Sequence, residues 1–268
     1  MLKDITLGQF FPGNTIVHRL DPRIKLVLTV VYITALFLAS GVLAYALMFL
    51  ALVTCLSVSR IKPKAAVRGL KPVIIIILFT VVLNIFFFRG ETILFEYRRI
   101  VVTQEGLFAA VFMAARLMML IVGTFLLTYT TSPIALTNGL ERMLNPLKKI
   151  KLPVHELAMM MSIALRMIPT LIEETDKIMS AQKARGADFE TGGLIKRAKA
   201  IIPLVIPLFI SAFRRADELA IAMESRCYHG GEGRTSMRVL KTAARDYVAL
   251  LCGAALIVAV VFLGRVQL

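Results

Sequence analysis

The sequence predicts an all-α polytopic membrane protein with about five transmembrane helices and a block of long amphipathic helices inserted before the last of them. Three observations lead there. Of 268 residues, 58% are hydrophobic and the mean hydropathy is +0.77, more apolar surface than one soluble core can hide. The apolar residues fall in runs long enough to cross a bilayer, where an open backbone must be helical to satisfy its own polar groups. From Ser132 onward the texture changes to charged and helix-breaking residues between stretches of helical periodicity. The net charge of +15 and pI near 10.1 would suggest nucleic acid in a soluble protein. Here basic loops flanking membrane helices are the simpler cause, and no nucleic-acid partner is expected.

The first twenty residues lack the basic-then-apolar order and cleavage site of a signal peptide, so the first membrane helix serves as the targeting signal. After LDPRIK (Leu20 to Lys25) the chain stays mostly apolar to Ser59, too long for one span. It splits at Ser40 and Gly41 into a helical hairpin, 26–40 and 41–59. RIKPKAAVRGLK (Arg60 to Lys71) supplies five cations and no acid, which places this loop in the cytoplasm. The third span, 72–88, is rich in β-branched residues yet must be helical in lipid. RGETILFEYRRIVVTQEG (Arg89 to Gly106) mixes three acids with three arginines and alternates around Thr92 to Val102. It reads as a short extracytoplasmic loop, with a hairpin as one form. The fourth span, 107–130, carries Arg116, either as packing glue paired with a carbonyl or as part of a substrate path.

In the block 132–245, Leu157, Met161, Leu165, Ile168, Ile172 and Met179 fall close to one face of a long helix. Gly192 to Gly231 repeats the plan: a basic start, an apolar middle broken by Pro203 and Pro207, a polar second half, and an arginine near the end. Asp176 to Arg185 and Asp217 to Arg226 are both nine residues apart, a weak internal repeat of two coupled helices. The last span is 247–263. The organisation expected is a membrane region 1–131 with four spans, a cytoplasmic block 132–245, and a final span in 246–268. The N-terminus lies inside and the tail after Gly264 outside. Val154 to Ile172 and Ala200 to Phe213 are expected to lie along the membrane or dip partly into it from inside. A spanning Val154 segment would put Arg185 outside.

Each of the two helical segments closes on an arginine between small residues: Ala184, Arg185 and Gly186 in AQKARGAD, and Ser225, Arg226 and Cys227 in AMESRCYH. One arginine beside a glycine is explained as a helix cap. Two at the same offset fit a pair of plugs, whose small neighbours let the helix end enter a groove while the guanidinium forks bind carbonyls or carboxylates there. A pair of plugs implies a paired socket. No G-x-x-x-x-G-K-[ST] loop is present, so energy must come from another chain.

Enzyme and metal readings find little. Cys55, Cys227 and Cys252 form neither a disulfide frame nor a zinc pattern. HELAM at His155 lacks the second histidine of a zincin, and Cys227 with His229 is too isolated for a metal site or a thiol with its base. No metal site is assigned. A conventional ABC permease with its own pathway is the alternative, disfavoured because the spans are nearly bare of polar groups except Arg116 and Asn84.

LDPRIKL, AQKARGAD and AMESRCYHGG together resemble the transmembrane T-component (EcfT) family of energy-coupling factor (ECF) transporters, over essentially the full length. The resemblance implies a non-catalytic scaffold and coupling subunit in the cytoplasmic membrane of a prokaryote. Its long helices would cross each other on the cytoplasmic side and insert Ala184, Arg185 and Gly186, and Ser225, Arg226 and Cys227, into grooves of two ABC-type ATPases. The slightly different second motif points to ATPases that are not identical. ATP and magnesium would be held by those partners and no cofactor by this chain. A small membrane-embedded S-component, or several interchangeable ones, would bring a vitamin or metal and dock on the apolar face, with Leu157, Met161, Leu165, Pro203 and Pro207 as the facing candidates. Met159, Met160, Met161 and Met167 suit either such an adaptable surface or an irregular core. Membrane lipid is the remaining partner, with Lys148, Lys149 and Lys151 at headgroup level. The second motif departs from the family in Ser225 and Cys227. Cysteine costs more than glycine in a left-handed backbone, which puts the glycine-type turn at Cys227 in doubt, with Gly230 and Gly231 available to end the helix instead.

Overall fold

A computed structural model describes residues 10–87, 92–97, 100–150, 153–189, 193–230 and 242–266. The first nine residues, Arg89 and Gly90, Arg98 and Arg99, Lys151, Gly231, and the basic stretch up to Lys241 lie outside the described residues. In chain order the elements are α1 (Pro22–Leu38), α2 (Gly41–Ser59), α3 (Pro63–Leu70), α4 (Ile74–Phe87), β1 (Ile93–Tyr97), β2 (Ile100–Thr103), α5 (Gln104–Thr130), α6 (Pro133–Leu144), α7 (Val154–Ala184), α8 (Leu194–Glu224) and α9 (Ala244–Val266). The protein is an all-α polytopic membrane protein. Its one described strand pair is an antiparallel hairpin in the loop after the third span, with a register irregularity between Ile93 and Phe95.

Among the described residues, five helices are long and apolar enough to cross a membrane: Gly41–Ser59, Pro63–Phe87, Gln104–Thr130, Val154–Ala184 and Ala244–Arg265. The number matches the sequence reading but the membership differs. The break at Ser40 and Gly41 stops α1 at 17 residues, about 25 Å at 1.5 Å per residue and short of a roughly 30 Å hydrocarbon layer. α7 qualifies instead, because its first half is apolar and its 31 residues run unbroken through Pro169.

The described residues fall into two compact units, with the division inside α6: those of 10–139 together with 242–266, and those of 140–230. In the first, α1, α2, α5 and α9 enclose a core of Ala35, Leu36, Ala44, Met48, Met119, Val122 and Val260. Small residues bring the helices close, and a Cβ on Gly253 of α9 would stand 2.6 Å from Leu28 of α1. Most other large apolar side chains of α2, α4 and α9 point outward, as a lipid-facing surface requires.

LDPRIKL folds into a buried polar knot in this unit. Asp21 caps α1, its Oδ1 accepting from the Arg23 N–H at 2.9 Å, with Pro22 in the first turn. Lys25 is 6% exposed. Its ammonium donates to the Thr130 carbonyl at 2.8 Å, to Thr131 Oγ1 at 3.1 Å and to the His18 carbonyl at 3.2 Å. A cation thus sits on the carbonyl end of α5, where the helix dipole favours it. Asp246, 1% exposed at the start of α9, accepts the Asp21 N–H on Oδ1 at 2.9 Å and the Ala243 N–H on Oδ2 at 2.7 Å. That carboxylate joins the start of α1 to the start of α9.

Arg116 takes the carbonyl-pairing role. Its Nη2 donates at 3.2 Å to Ala39, a carbonyl left without a helical partner because α1 has just ended. The guanidinium also lies over the rings of Phe37 and Tyr45, 5.9 and 5.6 Å from their centroids.

Candidate functional site

The second unit holds α7 and α8, each 31 residues long. At the end of α7 the Arg185 N–H donates to the Ala181 and Gln182 carbonyls at 3.2 and 3.1 Å. Gly186 N–H then reaches the Lys183 carbonyl and Ala187 N–H the Gln182 carbonyl, both at 3.0 Å. This crossed pair is a Schellman closure, which needs a left-handed residue after the cap, and Gly186 has φ +86°. A Cβ there would meet nothing within 4 Å, so the chain itself asks for glycine through the backbone alone.

The end of α8 has the same closure. Cys227 N–H donates to the Glu224 carbonyl at 2.9 Å and Tyr228 N–H to the Met223 carbonyl at 3.1 Å. Cys227 carries φ +56°, which corrects the expectation that the turn moves on to Gly230 and Gly231. The two closing hydrogen bonds require the left-handed residue directly after Arg226. Gly230, with φ +96°, comes three positions too late, and Gly231 lies outside the described residues. Because an L-residue in this region costs roughly 1 to 2 kcal/mol, Cys227→Gly is expected to raise stability by about 1 kcal/mol. Thermal unfolding checks this; a lower midpoint would show that the thiol makes a contact worth more than the strain.

Ala184, Arg185, Gly186, Ser225, Arg226 and Cys227 are all exposed. Both arginines stand at the cap of a long helix, followed at once by a left-handed turn. The structure does not bring them together. Gln182 Nε2 donates to the Pro203 carbonyl at 3.5 Å, and Glu174 accepts from Ser211 Oγ and, at 3.0 Å, from Arg215 Nη2. As residue numbers rise along α7 they fall along α8, so the pair is antiparallel and its two C-termini lie at opposite ends. The level of Arg185 corresponds to about residue 200 of α8, leaving roughly 26 residues, or on the order of 40 Å, to Arg226.

Leu157 and Met161 are half exposed on the first half of α7, Leu165 is partly buried, and Pro203 and Pro207 are exposed on α8. These five candidates do not form one patch. By the antiparallel register, Leu157, Met161 and Leu165 lie on the order of 25 to 40 Å along the pair from the level of Pro203. The face of each helix is apolar, but the two stretches are offset. Pro203 instead meets the end of α7, for a reason of backbone chemistry. Pro207 has no N–H, so the Pro203 carbonyl loses its donor four residues on, and Gln182, three residues before Arg185, supplies one.

Gln182, Glu174, Ser211 and Arg215 were not singled out from the sequence. The one available signal was the pair of prolines four apart, which frees a carbonyl inside a helix. His155, from the HELAM stretch, has Nδ1 2.9 Å from Glu141 Oε1. Among the described residues, no group of three His, Cys, Asp or Glu side chains could hold a metal ion.

The apolar helices define a multi-pass membrane protein, in which an antiparallel helix pair closes each exposed end on an arginine. Residues 13–237 match the family model described as cobalt transport protein, CbiQ. The energy-coupling factor transporter transmembrane protein EcfT of Clostridium kluyveri is 52% identical over 267 residues, covering 99% of this chain and 98% of that protein. The proteins of the same name from Bacillus subtilis (50% over 260 residues, 96% and 98% covered) and Lactococcus lactis subsp. cremoris (46% over 245 residues, 91% and 92% covered) are similar in the same way. The chain belongs to the family of energy-coupling factor transporter transmembrane proteins.

Proposed function

We propose that this chain is the non-catalytic coupling subunit of an ECF transporter, passing the ATP-driven movement of two ABC-type ATPases to a membrane-embedded substrate-binding subunit. The observation that carries the reading is the identical closure of α7 and α8, each presenting an exposed arginine at the end of a long helix. Each closure by itself is an ordinary helix cap; an exposed arginine at the same position of both is what two sockets would use. Ala184 and Gly186, and Ser225 and Cys227, keep the ends slim enough to enter a groove, while the guanidinium forks supply directed hydrogen bonds inside it.

The antiparallel pairing also favours one membrane placement. If α7 crossed the bilayer, the two arginine ends, on the order of 40 Å apart along the pair, would face opposite sides of a roughly 30 Å hydrocarbon layer. Lying along the inner surface, the pair offers both ends to the cytoplasm. That placement agrees with a cytoplasmic basic loop Arg60 to Lys71, from which α4 leads out and α5 leads back in. ATP and magnesium are then bound by the ATPases, and the vitamin or metal is chosen by the substrate-binding subunit, docked on the apolar stretches of α7 and α8.

The test is purification of the tagged chain from its native membrane with mass spectrometry of what remains bound. Two ABC-type ATPases and one or more small hydrophobic proteins are expected. Recovery of the chain alone would return the arginines to helix caps.

A further inference from the structure

Two hollows in the first unit adjoin at one residue and differ in kind. An apolar cleft of about 670 Å³ is walled by Leu28, Leu52, Leu127 and Val248, from α1, α2, α5 and α9. A second hollow of about 660 Å³ lies between the turn 11–18 and the end of α2. Ile16, 65% exposed, lines both. The second hollow has apolar walls in Phe11, Val58 and Ile61 but also carries Asn14, Thr15 and Ser59 and the two cations Arg60 and Lys62.

The charge of that hollow can be assigned. His18 Nε2 donates to the Phe11 carbonyl at 3.1 Å, which can only accept, and Nδ1 lies 2.7 Å from Thr15 Oγ1. Burial, opposed by the Phe11 carbonyl and reinforced by Lys25, holds His18 below its ordinary pKa. The positive charge comes from Arg60 and Lys62, both exposed and, among the described residues, without a carboxylate at ion-pair distance. Arg60 sits in a left-handed turn, φ +53°, that ends α2 and leads the chain back past the hollow.

We propose that the two hollows hold one anionic phospholipid, its phosphate on Arg60 and Lys62 and an acyl chain in the cleft beyond Ile16. A soluble anion would leave the apolar cleft unfilled, and a lipid without net charge would leave two cations unpaired. The site is separate from the arginine ends of α7 and α8 and does not rest on their proposed role.

The experiment uses the full chain, delipidated, placed in vesicles of equal parts phosphatidylglycerol and phosphatidylcholine, then extracted in mild detergent for native mass spectrometry. One phosphatidylglycerol per chain is expected to remain, at least tenfold enriched over phosphatidylcholine. The double variant Arg60→Gly with Lys62→Gln should lose that enrichment at least tenfold. Glycine suits the left-handed turn, so this variant should unfold at the same temperature or higher. Equal retention of both lipids, or enrichment unchanged in the variant, would overturn the proposal. So would displacement of the lipid by an equal concentration of glycerol phosphate, which carries the headgroup charge without the chain.

Discussion

Replacing Arg185 and Arg226 together by alanine is expected to abolish ATP-driven uptake and co-purification of the ATPases while leaving membrane insertion and thermal unfolding unchanged. The closures of α7 and α8 are made by backbone N–H groups of residues 185 to 187 and 226 to 228, which alanine retains. What is removed is the pair of exposed guanidinium groups. A lost hydrogen bond to a charged donor is worth roughly 1.5 to 3 kcal/mol, so each single variant should weaken its socket about 10- to 150-fold. The sites are far enough apart for the two losses to add. Lysine should restore only part of the loss, since it keeps the charge but not the fork. Normal uptake by the double alanine variant would sink the plug reading, and a lowered unfolding temperature would show that the side chains serve as caps.

The second largest effect is expected at Asp246. Asp246→Ala removes the acceptor of two backbone N–H groups, Asp21 and Ala243, inside a knot only 1% exposed at the carboxylate. Each hydrogen bond to a charged acceptor contributes roughly 1.5 to 3 kcal/mol, so a loss of about 3 to 5 kcal/mol is expected, a large part of the ~5 to 15 kcal/mol that holds a domain together. Asp246→Asn should fall between, because its one remaining oxygen can accept from only one N–H and its amide would oppose the other. The readout is thermal unfolding in detergent or nanodiscs. An alanine variant within about 0.5 kcal/mol of the parent, the range of ordinary surface substitutions, would show that the starts of α1 and α9 are held together by something other than this carboxylate.

Four of the spans were legible because hydropathy decides them: a run such as Val73 to Phe87 has no alternative to helix in lipid. The break at Ser40 and Gly41 and the arginine ends at 185 and 226 were legible for similar local reasons. The partnership of Asp21 with Asp246 was not, because it joins residues from opposite ends of the chain and neither position alone differs from an ordinary helix cap. Cys227 misled because residue preference was weighed without the closing hydrogen bonds, which fix where the left-handed turn must fall. The apolar faces of α7 and α8 were each visible in their periodicity. Their register was not, so Leu157, Met161 and Leu165 were grouped with Pro203 and Pro207 although the antiparallel pairing separates them. Gln182 acquires meaning only through Pro207, on another helix, whose missing N–H leaves the Pro203 carbonyl open.

The most direct measurement is photo-crosslinking in native membranes, with a photoreactive residue placed in turn at Lys183 and at Glu224, beside the two arginine ends, and the adducts identified by mass spectrometry. The coupling account predicts that each position captures an ABC-type ATPase, and that the captured peptides lie in the same groove of two ATPase subunits. Adducts with lipid alone at either position, or capture at one end on each side of the membrane, would contradict it.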